Sequence, residues 1–206
     1  MSTSCFLPYV GLGSCLLHIN FVHEFAKREG PITILTFSKS LKDALQDDPN
    51  IKETILIEKF NKKISDIFKL SRFLKSLNLK KIYIFKCSLR FYFAAKWAGM
   101  DTFSYPFYKK SELHLIKQAR DFTKKNLGIQ NFSTEPKLYI DSKKIDEAKK
   151  FIPQDKKKIL IAPSSSGPTT MWKENFFIDV MKRLDNKFDC FFIIAVDSSE
   201  RERNCR

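Results

Sequence analysis

The chain has no apolar run long enough to cross a lipid bilayer. Near its start there is no basic segment, and Pro8 and Tyr9 interrupt the apolar residues, so we expect no signal peptide. Its five cysteines form no Cys-x-x-Cys pair and follow no regular spacing, which argues against a disulfide framework and against a zinc site. These absences favour a cytoplasmic protein with reduced thiols and without a structural metal.

Acidic residues are scarce beside basic ones, 23 against 37, which gives a net charge of +14. A surface this basic attracts anionic partners such as nucleic acid, phospholipid or a phosphorylated glycolipid. Only eight of the basic residues are arginine, the side chain that nucleic-acid and bidentate phosphate sites favour. We therefore expect no nucleic-acid partner. The remaining anionic partners are a membrane surface, contacted peripherally, and a phosphorylated glycolipid.

Short apolar runs alternate with amphipathic helical patterns, which is typical of an α/β protein with parallel sheets. The runs predict strands at 6–10, 32–37, 54–57, 82–85, 158–162 and 191–196. A polar segment that contains Pro136 and Pro153 interrupts the alternation. We therefore predict an N-terminal Rossmann-like domain at 1–130, a linker with one helix at 131–157, and the start of a second Rossmann-like domain at 158–206. Since two strands cannot readily cover their own sheet faces, we expect the second domain to be incomplete and the chain to be truncated.

The first candidate site is the turn Gly11-Leu12-Gly13-Ser14, which follows the first predicted strand. Open α/β sheets bind ligands at the carboxyl ends of their strands, and glycine allows close approach of the backbone. The third glycine of the dinucleotide fingerprint is missing, as is a well-placed acidic residue after the next strand. This pattern excludes a nicotinamide site and leaves a plain tight turn as the alternative.

The second candidate site is a hydroxyl-rich loop between the predicted strand at 158–162 and an amphipathic helix. Free N–H groups at a helix start, together with Ser and Thr hydroxyls, predict a site for the diphosphate of a nucleotide-linked donor. The alternative is an ordinary N-capped helix after a loop, with its tryptophan packed against the sheet. The candidate donor-phosphate residues are Ser164, Ser165, Ser166, Gly167, Thr169, Thr170 and Trp172.

Several segments carry a family resemblance when they are taken in order. The turn 11–14 resembles a Gly-x-Gly-Asp turn, and the segment Asp48-Pro49-Asn50-Ile51-Lys52-Glu53 resembles one that precedes a strand. The loop 163–172 resembles a donor loop but is one residue shorter. Ser88-Leu89-Arg90 and His114 also occupy matching positions. In order and spacing the chain resembles glycosyltransferase family 9, the heptosyltransferases that build the lipopolysaccharide inner core.

The resemblance implies a GT-B fold, with two Rossmann domains facing across a cleft, the acceptor side N-terminal and the nucleotide-sugar side C-terminal. It implies inverting, metal-independent transfer, without a cofactor, of a heptose-like sugar from an ADP-activated donor to a lipopolysaccharide-type or other glycan acceptor. By position it assigns the catalytic role to Ser14, and Gly11, Gly13, Arg90 and His114 to the acceptor side. For Arg90 and His114 a role at the surface is the alternative.

The chain departs from the family at two of these positions. Ser14 stands where the family has a carboxylate, and a serine hydroxyl cannot act as a general base near neutral pH without help. Thr170 stands where the family has a lysine, and threonine supplies no charge to a departing diphosphate. The alternative function is therefore a non-catalytic relative that binds a nucleotide or sugar phosphate. We expect residues 1–206 alone to be inactive.

Overall fold

The computed structural model describes residues 2–58, 65–107, 114–163 and 172–196. The chain divides into two compact units, Met1–Ile140 and Asp141–Arg206, which we call unit 1 and unit 2. Unit 2 therefore includes the helix that the sequence analysis places in a linker. No helix in the described ranges is long and apolar enough to cross a membrane.

Unit 1 is built on a parallel sheet of five strands in the order β3-β2-β1-β4-β5. Its strands are β1 (Thr3–Leu7), β2 (Ile32–Thr36), β3 (Ile51–Leu56), β4 (Lys81–Ile84) and β5 (Asp101–Ser104). Its helices are α1 (Leu12–Glu29), α2 (Lys39–Ala44), α3 (Ser65–Ser76), α4 (Leu89–Trp97) and α5 (Leu115–Leu127). The predicted parallel α/β architecture is confirmed.

Apolar layers cover both faces of this sheet, because successive strand residues point to opposite sides. Leu7 of β1 packs in the layer that holds Phe25 of α1 and Phe122 of α5. Phe6, the residue before it, packs in the opposite layer with Leu74 of α3 and the alanines of α4. Strands buried on both faces explain the continuous apolar run of β4.

Unit 2 is a single β-α-β unit preceded by a helix. It contains α6 (Ser142–Phe151), β6 (Lys157–Ile161), α7 (Glu174–Asp185) and β7 (Cys190–Ile194). The two strands are parallel, with Lys157 opposite Cys190 and Ile161 opposite Ile194. Cys190 is the one buried residue among those that the structure describes in this unit. Of the helical stripe predicted from sequence, Phe177, Met181 and Leu184 are half-buried, whereas Phe176 and Val180 are exposed.

The structure corrects one predicted strand of unit 1 and adds another. The first strand ends at Leu7 and not at residue 10, so Tyr9 lies beyond the strand. The edge strand β5 was not predicted, because Asp101-Thr102-Phe103-Ser104 contains only one apolar residue.

Two histidines of α1, His18 and His23, are buried. The reason is that α1 is covered by more than the sheet. The segment after α5 packs on it as well: Asn20 hydrogen-bonds to the Ser133 carbonyl, and Tyr139 packs edge-on against His23.

Candidate functional site

The carboxyl ends of β1 and β4 form the natural ligand-binding place of unit 1. The chain leaves β1 toward β2 and β3 on one side and returns to place β4 and β5 on the other. A parallel sheet opens a crevice at such a reversal of strand order. Tyr9 follows β1 there, and its hydroxyl donates a 2.8 Å hydrogen bond to the carbonyl of Phe85, which follows β4.

A cavity of about 880 Å³ opens beside this point. Its walls are mainly apolar, and their residues come from the segments after β1, β4 and β5 and from α4, β5 and α5. The lining residues are Tyr9, Lys86, Cys87, Tyr92, Thr102, Phe103, Ser104, Tyr105, Pro106, Phe107, Leu115, Gln118, Asp121, Phe122, Lys125 and Asn126. A mainly apolar cavity with a few polar groups is the usual form of a small-molecule site.

Tyr105 is the most informative residue of the cavity wall. It directly follows β5, is 3% exposed, and packs edge-on against Phe122 at a ring distance of 5.1 Å. Its hydroxyl has no hydrogen-bond partner among the residues that the structure describes. Burial raises the pKa of this phenol above its ordinary value, so the hydroxyl stays protonated and can donate. Because buried polar groups are nearly always paired, a ligand group in the cavity is a natural partner.

The remaining polar groups of the cavity carry both signs of charge. Lys86 and Lys125 are its cations, and Asp121 is the carboxylate among the lining residues. The ammonium of Lys86 lies 5.7 Å from the centre of the Tyr9 ring, within the range of a cation–π contact. Aromatic faces beside amide and charged groups suit a ligand with apolar C–H faces and several hydroxyls, as a sugar has.

The turn between β1 and α1 leaves backbone groups open. Gly11 is the N-cap of α1, but no side chain caps the helix and its first turn contains no acidic residue. A Cβ atom added at Gly11 or Gly13 would meet nothing within 4 Å, so packing inside the protein does not require glycine at either position. Ser14 is half-buried, and its hydroxyl bonds to none of the residues described. The first N–H groups of α1 therefore lack a side-chain acceptor.

His18 connects this turn to the cavity wall. Its Nδ1 lies 2.6 Å from the Ser14 carbonyl, and since a carbonyl only accepts, Nδ1 carries the proton. The ring stacks on Tyr9 at 4.9 Å. Burial lowers the pKa of His18, so the imidazole is neutral near pH 7, and its Nε2 has no partner among the described residues. His18 thereby holds the orientation of both Tyr9 and the start of α1.

The predicted site residues that the structure describes are not among those that line the cavity. Arg90 is half-buried in the first turn of α4, and His114 is exposed at the start of α5, where its Nδ1 accepts a 3.3 Å hydrogen bond from the Ile116 N–H. Trp172 belongs to unit 2, where it is 48% exposed and stacks on Phe176 at 5.3 Å. The predicted donor-phosphate residues Ser164, Ser165, Ser166, Gly167, Thr169 and Thr170 lie outside the described residues.

Sequence reasoning missed Tyr9, Lys86 and Tyr105, which lie just beyond the carboxyl ends of strands. The available signal was their position after apolar runs, but the first strand was placed too far along the chain and β5 was not recognised. Within the described ranges, no group of three or more His, Cys, Asp or Glu side chains is arranged to hold a metal ion. The four cysteines described are free thiols.

Comparison with known proteins identifies the family. The family model described as glycosyltransferase family 9 (heptosyltransferase) matches residues 88–205, more than half of the chain. The chain belongs to glycosyltransferase family 9. The resemblance inferred from sequence motifs is thus confirmed. No curated protein matches the chain.

Solved structures show the same fold. The chain is similar to E. coli ADP-heptose lps heptosyltransferase II, with a TM-score of 0.68 and 14% identity over 98% of this chain and 66% of that one. It is similar to a family 9 glycosyl transferase from Veillonella parvula, with a TM-score of 0.73 and 15% identity over 98% of this chain and 64% of that one. For E. coli heptosyltransferase WaaC with ADP the TM-score is 0.65 and the identity 12%, over 98% and 70% of the two chains.

The predicted GT-B-like class, with two Rossmann-like parallel-sheet units, is confirmed by these likenesses. The chain spans less than two thirds of the first two structures, at 66% and 64% of their lengths. That coverage and the two-stranded sheet of unit 2 fit the expectation of an incomplete second domain.

Proposed function

We propose that this chain is the acceptor-binding half, with part of the donor-binding half, of a glycosyltransferase. The enzyme transfers a heptose-like sugar from an ADP-activated donor to a lipopolysaccharide-type or other glycan acceptor, with inversion and without metal or cofactor. Membership of family 9 supports sugar transfer, and the likeness to the heptosyltransferases supports the choice of sugar. The basic surface supports a glycolipid acceptor reached at an anionic membrane.

The observation that carries the acceptor assignment is the cavity at the carboxyl ends of β1, β4 and β5. It has room for a small oligosaccharide, aromatic walls for sugar faces, and in Tyr105 a buried hydroxyl that lacks a partner among the described residues. Lys86 and Lys125 give it a positive rim that suits an anionic glycan. The uncapped start of α1 adds backbone N–H donors beside Tyr9.

The reaction makes defined demands on these groups. An acceptor hydroxyl oxygen bonds to the anomeric carbon, the bond from that carbon to the diphosphate oxygen breaks, and the hydroxyl proton passes to a base. ADP leaves with the electron pair of the broken bond. Ser14 cannot take the proton unaided, since its hydroxyl is a far weaker base than a carboxylate. Of the described residues that line the cavity, Asp121 is the one carboxylate, and we assign it as the candidate base.

The donor side rests on the loop at 164–171, which lies outside the described residues, and on Trp172. We propose that its hydroxyls and the start of α7 hold the diphosphate of the donor. Thr170 contributes a hydrogen bond there but no charge, so stabilisation of the leaving group is weaker than a lysine would provide.

The test is release of ADP from ADP-heptose by the protein as its genome encodes it, with a heptose-deficient inner-core glycolipid as acceptor. We expect ADP release that depends on the acceptor. Asp121→Asn should lower kcat at least a hundredfold, whereas Asp101→Asn, a carboxylate outside the cavity, should leave kcat within twofold. Absence of acceptor-dependent release would overturn the transferase proposal. Rapid release by residues 1–206 alone would overturn the expectation that this segment is inactive.

The second candidate function is binding of a nucleotide or sugar phosphate without catalysis. The observation that favours it is Ser14, which lies in the first turn of α1 and presents a hydroxyl where the resemblance places a carboxylate. The double substitution Ser14→Asp with Thr170→Lys in the genome-encoded protein separates the two functions. Transfer that appears only in the double variant identifies a degenerate binder; transfer already present in the unchanged protein identifies an enzyme.

A further inference from the structure

Helix α4 is apolar on two opposite sides. Ala94 and Ala95 are buried against the sheet. Leu89, Phe93 and Trp97, spaced four residues apart, form a second apolar stripe on the outside, where they are 55%, 44% and 53% exposed. A helix that packs on a sheet needs only its inner side to be apolar, so the outer stripe is not explained by the fold of unit 1.

An aromatic side chain of the neighbouring helix extends this stripe. Phe68 of α3 is 52% exposed and stacks flat on Trp97, with ring centres 5.1 Å apart. The ring centre of Phe93 lies 6.0 Å from that of Trp97. Together Phe68, Leu89, Phe93 and Trp97 form one continuous apolar surface, which we call the α3–α4 patch.

The exposed charges that helices α3 and α4 themselves present are positive. Helices α3 and α4 contain five basic residues, which are Lys69, Arg72, Lys75, Arg90 and Lys96. Their one acidic residue, Asp66, is buried at 6% exposure and so does not offset them at the surface. Helical spacing places Arg72 one turn from Phe68, and the Lys96 ammonium lies 6.0 Å from the centre of the Tyr92 ring on α4. The exposed surface of these two helices therefore combines aromatic rings with positive charge, and Asp101 beside Lys75 is an acidic residue at its edge.

We propose that the α3–α4 patch docks this protein on an anionic lipid bilayer. Tryptophan and phenylalanine insert at the boundary between headgroups and acyl chains, while lysine and arginine remain among the anionic headgroups. Charge complementarity selects this occupant, since a second copy of a chain with net charge +14 would bring like charge to the patch. The inference rests on the membrane contact of the proposed function and assigns it to named residues.

The two tryptophans of the chain provide the test. Trp97 lies in the patch and Trp172 lies in unit 2, with nearly equal exposures of 53% and 48%. Trp172→Phe leaves Trp97 as the reporter, and Trp97→Phe leaves Trp172. Each variant is mixed with vesicles of phosphatidylethanolamine and phosphatidylglycerol, with and without brominated acyl chains. We expect the emission of Trp97 to shift to shorter wavelength and to be quenched by the brominated lipid, and that of Trp172 to stay unchanged.

Substitutions measure what the patch contributes to binding. Phe68→Ser and Phe93→Ser should each weaken vesicle binding about tenfold, the loss expected when one phenylalanine no longer inserts. Phe151→Ser removes an aromatic ring that is 79% exposed on α6, and it should change binding less than twofold. Lys69→Gln with Arg72→Gln should lower binding to anionic vesicles and flatten its dependence on salt. Unchanged thermal unfolding of each variant shows that the fold is retained.

Several results would overturn the proposal: no binding to anionic vesicles, equal binding to neutral phosphatidylcholine vesicles, or quenching of Trp172 in place of Trp97. A blue shift of Trp97 that grows with protein concentration in the absence of lipid would identify the patch as an interface between protein molecules, and would also overturn it. These readouts do not depend on sugar transfer. A protein that binds vesicles but releases no ADP would refute the proposed function alone.

Discussion

Unit 1 and unit 2 are built from the same β-α-β elements, but they differ in how much of their apolar surface is buried. Every buried apolar side chain in the described part of the chain lies in unit 1, with the exception of Cys190. In unit 2, Leu160 of β6 is 68% exposed and Ile194 of β7 is 54% exposed. A five-stranded sheet has helices on both faces, whereas two strands and one helix leave one face and both edges open.

The difference shows that local sequence pattern is sufficient for the strands and helices of a Rossmann-like unit but not for its core. The stripe of α7 is as regular as those of unit 1, yet Phe176 remains 45% exposed although Trp172 stacks on it. In unit 1 the core forms because α1, α3, α4 and α5 cover a sheet whose three central strands are paired on both sides. The stability of this chain should therefore come almost wholly from unit 1.

The largest expected effect is a difference in stability loss between two matched phenylalanine substitutions, one in each unit. Phe25 is fully buried against Tyr83, with ring centres 4.0 Å apart, so Phe25→Ala should lower the free energy of unfolding of unit 1 by about 3–5 kcal/mol. Phe176→Ala in unit 2 should cost about 1 kcal/mol or less. Urea unfolding of single-tryptophan variants measures this, with Trp97 reporting on unit 1 and Trp172 on unit 2. Equal losses would contradict the contrast between the units.

The second prediction compares one hydrogen-bonded carboxylate from each unit. In unit 1, Nε2 of His23 and Oδ2 of Asp48 lie 2.6 Å apart and are buried. Burial opposes ionisation of Asp48, but hydrogen bonds from His23 and Asn50 prevail and lower its pKa. Asp48→Ala leaves these donors unpaired and should cost about 3 kcal/mol.

The control for this pair is Asp146→Ala in unit 2. The carboxylate of Asp146 accepts a 3.0 Å bond from Lys149 at an exposed site, so its loss should cost about 0.5 kcal/mol or less. Both variants are measured by urea unfolding at pH 7. A loss for Asp146→Ala as large as that for Asp48→Ala would remove the distinction between a buried and an exposed pair.

The third prediction is a smaller, pH-dependent effect confined to unit 1, which contains all three histidines of the chain. Burial lowers the pKa of His18 below its ordinary value of 6.5, so the unfolded chain takes up this proton at a higher pH than the folded chain does. The contribution of the neutral His18 imidazole to the free energy of unfolding is fully present above pH 6.5. It is lost as the pH falls toward the pKa of His18 in the folded chain.

Thermal unfolding between about pH 5 and pH 7 measures this loss. The Tm of unit 1 should decrease as the pH is lowered. His18→Phe keeps a ring against Tyr9 and should reduce this dependence of Tm on pH. The transition reported by Trp172 in unit 2 serves as the control and should lack a histidine component. A slope in unit 1 that is unchanged by His18→Phe would contradict the assignment. Asp48 and Glu29 also have lowered pKa values, so their contributions are lost only below their ordinary values of 3.8 and 4.5.

The sequence predicted the architecture well because apolar runs and glycine stops mark most elements. It failed where burial is not visible in a short window. Strand β5 lies at the sheet edge and has polar residues at three of its four positions, so no apolar run identifies it. His18 and His23 are buried because the segment after α5 folds back over α1, a contact between residues more than a hundred positions apart.

The sequence analysis missed the cavity because it placed one strand incorrectly and did not recognise another. Placing the first strand at 6–10 turned Tyr9 into a strand residue, and missing β5 removed Tyr105 from consideration. The motif residues 11–14 were located correctly at the start of α1, since a glycine turn after an apolar run is a local signal. The cavity is not local, because its walls come from five separate segments of the chain.

The central claim is that the cavity of unit 1 binds the acceptor glycan through the hydroxyl of Tyr105. Isothermal titration calorimetry of this chain with a heptose-deficient inner-core oligosaccharide tests it most directly, comparing Tyr105→Phe with Tyr139→Phe outside the cavity. Loss of one hydrogen bond of about 1 kcal/mol should raise Kd roughly fivefold in Tyr105→Phe, and Tyr139→Phe should leave Kd unchanged. Equal Kd values in all three proteins, or no binding by the unchanged chain, would contradict the claim.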